Sequence, residues 1–572
     1  MCGICLILNL PINNHHFSWN FLEAYQPDAD AQPLPLNEHI LHHKLTMPPP
    51  QGLLPAPKVI ASRGPHSTTA HRIDMFKTNY HQVDPEQVSN YVEPGMAVGV
   101  QSALHLRGKS SYVPSTPGSY FLFNGEMWDT GSLPPVAEGQ NDSEWLHHML
   151  MGCNGSEERM LDILAEVRGD YSIILVEGNH IYVMKDYFGK RSLLLGMGEE
   201  HLYLTSMPLV EATQQEPPPE ADDEQEDNNW KAKYQAEWLS SKHKMLFEVP
   251  ANSFISIQLR NSTAMWTHQP IHSFDLKKLS LEKQPDAPEN VVATVKKLLV
   301  ECVKELTRSI RPEEGQVTQQ GEARVAVLFS GGVDSTLIAR LLDLALPKDQ
   351  AIDLVNLAFR EDAPDREAAR ISFEELHQLN PNRRFNLILV NRSLDDVEKV
   401  KRGLLQAIYP KSTHMDFNIA TALHLASAAT PASIILSGLG ADEIFAGYSR
   451  YRIAYKRAGY QEMENEMLFD MGRLWIRNMG RDDRAIGMNG KEVRYPFLYL
   501  PLWLYLRQVP LPVLTEGNGE KMLLRKVARD FGLERASTFK KRAIQFGTRL
   551  AKLSNVKSFG SNRKAKGTYE YH

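Results

Sequence analysis

The sequence predicts an α/β protein with two unlike halves. Three observations predict it. Short alternating or apolar segments fill the first half, strands alternate regularly with amphipathic helices beyond residue 322, and polar runs rich in proline or charge lie between. The alternation specifies a parallel, doubly wound sheet in the second half, followed by a mostly helical tail. With roughly 100 to 200 residues per domain, a chain of 572 residues has room for two to four domains.

In the first half, Gly3–Leu10, Ser119–Phe123, Tyr171–Val176, Ile181–Met184, Ser192–Leu195 and Leu202–Thr205 read as strands bounded by turn residues. Pro27–Pro57, rich in Pro, His and Gln, reads as a surface insertion. Glu216–Asp227 carries seven acidic residues and three consecutive prolines, a composition that buries no core. It is read as a solvated, disordered loop, with a docking segment for a protein partner as the alternative. Strand-like pieces resume over Lys244–Leu259. Val295, Leu298, Leu299, Cys302 and Leu306 then mark one buried face of a helix. Beyond the linker Arg311–Glu322 come strand Val325–Phe329, helix Asp334–Leu346, strand Ile352–Phe359, helix Arg366–Leu379 and strands Phe385–Val390 and Ser433–Leu436. The polar, basic end Lys557–His572 is expected to fray.

Lys and Arg total 63 against 69 Asp and Glu, a net charge of -6 that advertises no nucleic-acid or anionic-membrane surface. No run approaches the ~18 to 20 apolar residues of a membrane span. The start, MCGICLILNLPINN, lacks a basic n-region and a cleavage site. Four cysteines (Cys2, Cys5, Cys153, Cys302) without metal-like spacing fit a reducing cytoplasm and argue against a disulfide framework or a structural zinc.

The strongest chemical signal is Ser330-Gly331-Gly332-Val333-Asp334-Ser335-Thr336, directly between a strand and a helix. Two glycines let the backbone approach an oxyanion, and the helix amides with the hydroxyls of Ser330, Ser335 and Thr336 supply donors. Asp334 would repel a bare phosphate, which assigns it to a divalent cation bridging that phosphate. No Gly-Lys-Ser/Thr follows, so this is not a Walker A loop. A plain capped strand-to-helix turn is the bland alternative.

This heptad resembles the pyrophosphate loop of N-type ATP pyrophosphatases, which cleave ATP to AMP and pyrophosphate. Ser437-Gly438-Leu439-Gly440-Ala441-Asp442-Glu443-Ile444-Phe445-Ala446-Gly447-Tyr448 is similar to the SGEGSDE-[LIV]-F-x-G-Y segment of asparagine synthetases. The resemblance implies that Ser437 and Gly438 touch the nucleotide and that Asp442, with Asp334, holds Mg2+. It also extends ATP binding to Phe329 and Ala358. Further matches are Ala363-Pro364-Asp365, Glu492–Leu498 and Lys521–Arg525. Lys540–Gly547 resembles the basic stretch whose lysine stabilises departing pyrophosphate, placed at Lys541 with Lys540 as the alternative.

Met1-Cys2-Gly3-Ile4 is the second signal. Removal of Met1 would leave on Cys2 a thiol (pKa ~8.5) and an α-amine (~7.7 to 8.0) able to act as its base. Asn124-Gly125-Glu126 resembles the NGE segment of Ntn-type (class II) glutamine amidotransferases, although Asn-Gly alone is also a hairpin turn. The resemblance implies Cys2 as nucleophile, the Asn124 side chain and Gly125 amide as oxyanion hole, and Glu126 and Asp142 as ligands of the glutamine amine. Arg63-Gly64-Pro65 and Asp186–Arg191 match two further motifs of that family.

The resemblance covers Cys2 to about Gly547 and identifies a glutamine-hydrolysing asparagine synthetase of the divergent asparagine synthetase domain-containing group. It implies an Ntn-type αββα amidotransferase sandwich over 2–210, with an insertion at about 27–57, an acidic loop at 211–230, and the end of that domain with its linker at 231–285. A doubly wound ATP pyrophosphatase domain follows over 286–556, then a basic tail at 557–572. Glutamine, aspartate and ATP are the implied substrates, with asparagine biosynthesis by a carbon–nitrogen ligase the implied function. Two positions depart from the pattern. Leu439 replaces a glutamate associated with the asparagine-forming step. Ala103, in Ala103-Leu104-His105, replaces an arginine that clamps the glutamine carboxylate, leaving Arg107, Arg63 or Arg72 as candidate substitutes. The alternatives are an ATP-dependent ligase acting on another carboxylate and a nucleotide-binding interaction protein.

Overall fold

A computed structural model describes residues 3–9, 67–74, 79–83, 96–103, 119–197, 201–208, 245–260, 263–273, 290–310 and 322–550, apart from 138–139, 309, 412, 517–519, 541 and 543. The expected insertion at 27–57, the acidic loop at 211–230 and the tail at 557–572 lie outside the described residues.

The strands before residue 290 are β1 (Gly3–Asn9), β2 (Ser67–Asp74), β3 (Asn79–Val83), β4 (Met96–Ala103), β5 (Ser119–Asp129), β6 (Arg168–Glu177), β7 (His180–Lys185), β8 (Leu194–Met197), β9 (His201–Thr205), β10 (Met245–Glu248), β11 (Ser253–Arg260) and β12 (Thr263–Pro270). They form two antiparallel sheets, ordered β10-β8-β9-β1-β4-β2-β3 and β12-β11-β7-β6-β5, which meet where β1 packs on β5. The alternation in β5 to β7 sends Phe121, Phe123, Ile173, Leu175, Tyr182 and Met184 to one face. There they bury Leu146 and Leu150 of helix Asp142–Met151 and Met160 and Leu164 of helix Glu157–Glu166.

The strands β13 (Ala323–Leu328), β14 (Ala351–Ala358), β15 (Phe385–Asn391), β16 (Ile434–Leu436) and β17 (Glu492–Arg494) form a parallel sheet ordered β15-β14-β13-β16-β17. The chain runs outward from β13 through β14 to β15, then returns to place β16 on the other side of β13. The order therefore reverses between β13 and β16. Ligands bind at such a switch point, beyond the carboxyl ends of the strands. Both strands that flank it lead into the motif loops, Ser330–Thr336 and Ser437–Tyr448. The helical region follows with Ser449–Gly472, a π-helical turn Trp475–Met479 and helix Gly480–Gly487.

The two halves share a buried seam. Trp128 and Phe188 of the first half belong to the same hydrophobic cluster as Val325, Leu436, Val493 and Trp503 of the second. Around them lies a charged network. Asp186 caps the turn that follows β7, accepting from the amides of Phe188 (3.0 Å) and Lys190 (2.9 Å), and this sends Lys190 and Arg191 inward. Lys190 pairs with Asp170 at 2.5 Å. Arg191 is fully buried, 3.4 Å from Asp483 and 3.2 Å from Glu492. Arg484 reaches back to Glu248 at 2.6 Å, and Lys185 holds the other oxygen of the same carboxylate at 2.6 Å. Burial alone would raise the Glu248 pKa, but the two cations hold it below the usual range.

This seam explains one boundary difference. The strand expected over Ser192–Leu195 runs instead over Leu194–Met197, because the Ser192 amide donates to Asp483 at 2.9 Å rather than to a neighbouring strand. Phe329, expected to close its strand, lies one residue beyond β13.

Candidate functional site

Gly332 begins helix Val333–Ala345, whose first amides face the switch point with no side-chain cap. The loop is held from below. Ser372 donates to the Gly331 carbonyl at 2.8 Å, and Asn356 donates to the Phe329 carbonyl at 2.8 Å. Ser330 and Ser335 place their hydroxyls 3.3 Å apart at the loop mouth. Thr336, grouped with them from sequence, turns inward: it is fully buried and its hydroxyl donates to the Gly332 carbonyl at 2.9 Å. Phe329 and Ala358 are buried at the carboxyl ends of β13 and β14.

The second loop packs directly on the first. A Cβ on Gly438 would stand only 3.1 Å from the Cβ of Asp334, so a glycine there allows the close approach. Asp334 and Asp442, distant in sequence, then meet at one cation. Lys521 Nζ lies 2.5 Å from Asp334 Oδ2 and 2.9 Å from Asp442 Oδ1. Lys521 is 1% exposed, and its backbone adopts φ +55°, a strained conformation for lysine that aims the side chain at the carboxylates. Burial would lower its pKa, but the two aspartates overcome this and raise it above the usual lysine value. Sequence reasoning gave Lys521 no role. Its one signal was its place in the matched run Lys521–Arg525.

Two more carboxyl groups border the site. Glu443 is buried, which pushes its pKa up to about 7, and neighbouring Asp442 adds to the rise. The Tyr448 hydroxyl donates to it at 2.8 Å. Asp365 is also raised to about 7 by burial, partly offset by Arg542. Its carboxylate lies against Gly547, where a Cβ would come within 2.0 Å of Oδ2. The basic stretch Lys540–Gly547 is thus anchored beside the sheet, with Thr548 accepting from the Phe359 amide at 3.0 Å. Lys540 is exposed, and Lys541 lies outside the described residues.

In the first half, Asn124, Gly125 and Glu126 occupy consecutive positions of β5, opposite Ser172, Tyr171 and Asp170 of β6. Gly125 adopts φ +149°, and a Cβ there would stand 2.0 Å from the Asp170 carbonyl oxygen, so only glycine fits. Asp142 heads its helix and accepts from the Met127 amide at 3.0 Å, which docks it beside Glu126. The four residues singled out from sequence are therefore brought together. Cys2 lies outside the described residues, but its neighbour Gly3 starts β1, which packs on β5. Ala103 stands one residue beyond Ser102, the partner of Gly3. Arg72 pairs in the sheet with Val98, five residues back along β4 from Ala103 and roughly 17 Å away at 3.4 Å per residue. Arg63 and Arg107 lie outside the described residues.

The family model described as asparagine synthase matches residues 316–462 and 454–553, the span that carries both loops, Lys521 and the basic stretch. Residues 316–553 thus carry an asparagine synthase domain. It is similar to asparagine synthetase domain-containing protein 1 of Gallus gallus, 29% identical over 79% of this chain and 89% of that protein. The likeness to the asparagine synthetase domain-containing protein of Saccharomyces cerevisiae is 26%, over 97% of each chain. A putative glutamine-hydrolyzing asparagine synthetase of Methanocaldococcus jannaschii is 31% identical over 31% of each chain.

Leu439, in the second of these loops, is partly buried. It packs against the hydrophobic core, and the next residue, Gly440, lies against Leu498. Among the described residues, no cluster of three or more His, Cys, Asp or Glu side chains forms a metal site. No described helix is long and apolar enough to cross a membrane.

Proposed function

We propose that this protein is a glutamine-dependent carbon–nitrogen ligase whose reaction is amidation of aspartate. In this reading the first half is an Ntn-type αββα amidotransferase. The observation that carries the ligase reading is the convergence of Asp334 and Asp442 on Lys521 at the switch point, beside an uncapped helix amino terminus. The pair of carboxylates with a cation at their focus fits a divalent ion, since magnesium is commonly held by one or two carboxylates and completed by substrate phosphates. Magnesium bound there would neutralise phosphate charge and orient the chain of phosphates.

The residues divide the chemistry between them. Ser330, Gly331, Gly332 and Ser335 hold phosphate oxygens, and Ser437 with Gly438 flanks the nucleotide. A carboxylate oxygen of aspartate attacks the α-phosphorus, and the bond to the β-phosphate oxygen breaks, releasing pyrophosphate toward Lys541. In the first half the Cys2 thiolate attacks the glutamine amide carbon, and the Asn124 side chain and Gly125 amide hold the developing oxyanion. Ammonia leaves with the proton from the thiol, and water later cleaves the thioester to glutamate. Ammonia then attacks the acyl-adenylate carbon, the ammonium adduct loses a proton, and AMP departs. Glu443, four residues on and with its pKa raised by burial, is the candidate to take that proton in place of the glutamate that Leu439 supplants.

The packing of Leu439 favours a second reading, in which the same ligase acts on another carboxylate. One experiment tests both. Full-length protein with Met1 removed is incubated with ATP, magnesium, glutamine and aspartate, and asparagine, AMP and pyrophosphate are measured. Asparagine formed together with AMP supports the first reading. AMP and pyrophosphate formed only with another acid support the second, and no ATP cleavage with any acid overturns both.

A further inference from the structure

We infer that Trp128 couples the nucleotide loop to the glutaminase strand, an inference that rests on the proposed function and names the residue that joins its two sites. Trp128 lies on β5, two residues beyond Glu126, just where the register of β5 against β6 shifts between Met127 and Asp129. The irregularity turns its indole out of the amidotransferase core and into the hydrophobic cluster of the ligase half.

There the ring is held on two sides. Its Nε1–H donates to Asp170 Oδ1 at 3.2 Å, and Asp170 is the residue directly opposite Glu126 in the sheet. Its face lies under the Arg494 guanidinium, 4.5 Å from the ring centroid. A buried cation over an indole is a strong instance of this contact. Arg494 ends β17, and its carbonyl accepts the Ser437 amide at 3.0 Å. Its side chain is fixed by Glu492 at 2.6 Å and by a hydrogen bond to the Leu306 carbonyl. Arg494 therefore has little freedom to move apart from the ring beneath it. Two contacts lead from the residue that opens the nucleotide loop to the strand that carries the oxyanion group, and a third leads on to Asp170 of β6.

The network around this path has a second arrangement within reach. Arg191 sits among three carboxylates, 3.2 Å from Glu492, 3.4 Å from Asp483 and 3.8 Å from Asp170. Among the described residues, Arg191 Nε and Asp170 Oδ2 make no hydrogen bond. A buried network that is only partly satisfied leaves polar atoms at a cost that repacking can relieve. A shift of Arg191 from Glu492 toward Asp170 would leave Glu492 to Arg494 alone and draw on Asp170, the partner of Trp128. Nucleotide binding at Ser437 biases this exchange through the Arg494 carbonyl.

Hydrogen exchange of the full-length protein tests the coupling, with a non-hydrolysable ATP analogue and magnesium as the probe. In the wild type the analogue is expected to slow exchange of residues 434–442 and also of 119–129, the latter by about fivefold or more, the lower range of measured couplings. In Trp128→Leu, slowing persists at 434–442 and is lost at 119–129. Trp128→Phe, which keeps a ring but loses the N–H donor, transmits less than half of the effect. Slowing at 434–442 with none at 119–129 in the wild type overturns the coupling and leaves the nucleotide site standing. Full transmission in Trp128→Leu, or in Trp128→Phe where the leucine variant does not fold, also overturns it. No slowing at either segment overturns the nucleotide site, and the coupling with it.

Discussion

Lys521 stands between Asp334 and Asp442, at 2.5 and 2.9 Å, where the two motif loops of the parallel sheet meet. One lysine thus offsets half the charge of two carboxylates that a divalent ion would balance in full. Lys521→Met should leave both uncompensated and partly buried. Removing one partner of a buried pair typically costs about 3 to 5 kcal/mol. Urea unfolding should show a loss of that order, with millimolar magnesium restoring part of it in the variant and changing the wild type less. An equal response to magnesium in both proteins would show that the carboxylates do not form the ion site.

Asp334→Asn tests the same pair from the other side. It keeps the shape and a hydrogen-bond acceptor but removes a charge, so the fold should persist. Calorimetric titration should show magnesium-dependent nucleotide binding weakened at least about tenfold, a factor worth about 1.4 kcal/mol.

Asp365 gives a pH dependence with a definite sign. Burial raises its pKa from the ordinary value near 3.9 to about 7, so the folded protein holds more protons than the unfolded chain between roughly pH 4 and pH 7. Stability therefore falls as pH rises through that window and levels off above it. Asp365→Asn should remove this group's share of the decline. Relative to the variant, the wild type should lose at least about 1.4 kcal/mol, the equivalent of one pKa unit, measured by chemical unfolding at pH 4.5 and pH 7.5.

Asn124→Ala should lower the kcat of glutamine hydrolysis by about 10²- to 10³-fold, the usual effect of losing one oxyanion donor. Synthesis supplied with ammonia in place of glutamine should be unaffected. A matching loss with ammonia would mean that the strand supports the ligase half structurally rather than serving the amide.

Leu439→Glu should raise asparagine formation if aspartate is the acceptor, since a general base commonly contributes about 10²- to 10⁴-fold. Because Leu439 packs against the core, the variant should also be less stable. Mass spectrometry of the asparagine formed, alongside thermal unfolding, separates the two effects. A variant that makes less asparagine than a robust wild type would show that another group, with Glu443 the first candidate, already takes the proton.

The candidate ligase site was legible in the sequence because its parts are local. Ser330–Thr336 and Ser437–Tyr448 each follow an apolar strand, and the strand-to-helix turn that places their amides is written in contiguous residues. The run Asn124-Gly125-Glu126 was legible for the same reason, and Asp142 through its matched motif. What the sequence hid depends on distant meetings. Nothing near Lys521 announces two aspartates, and nothing near Arg191 announces Asp483 or Glu492. Strands β2, β3 and β4 escaped notice because residues such as His71, Gln82 and Gln101 dilute their hydrophobic pattern. Trp128 reads as an ordinary strand residue until the register shift turns it out of its own sheet.

The seam also has a consequence for how the protein is made. Lys190 and Arg191 leave the ribosome about 300 residues before Glu492 and Arg494, which at 5 to 20 residues per second is a wait of roughly 15 to 60 s. Throughout that interval the nascent amino-terminal half presents Trp128, Phe188 and Arg191, whose partners Val493, Asp483 and Glu492 have not yet been synthesised. Its outer surface at birth is therefore its inner surface at maturity. The half-made chain carries a sticky face with charges still lacking their partners, so chaperone demand should peak late in translation and fall once β17 has emerged.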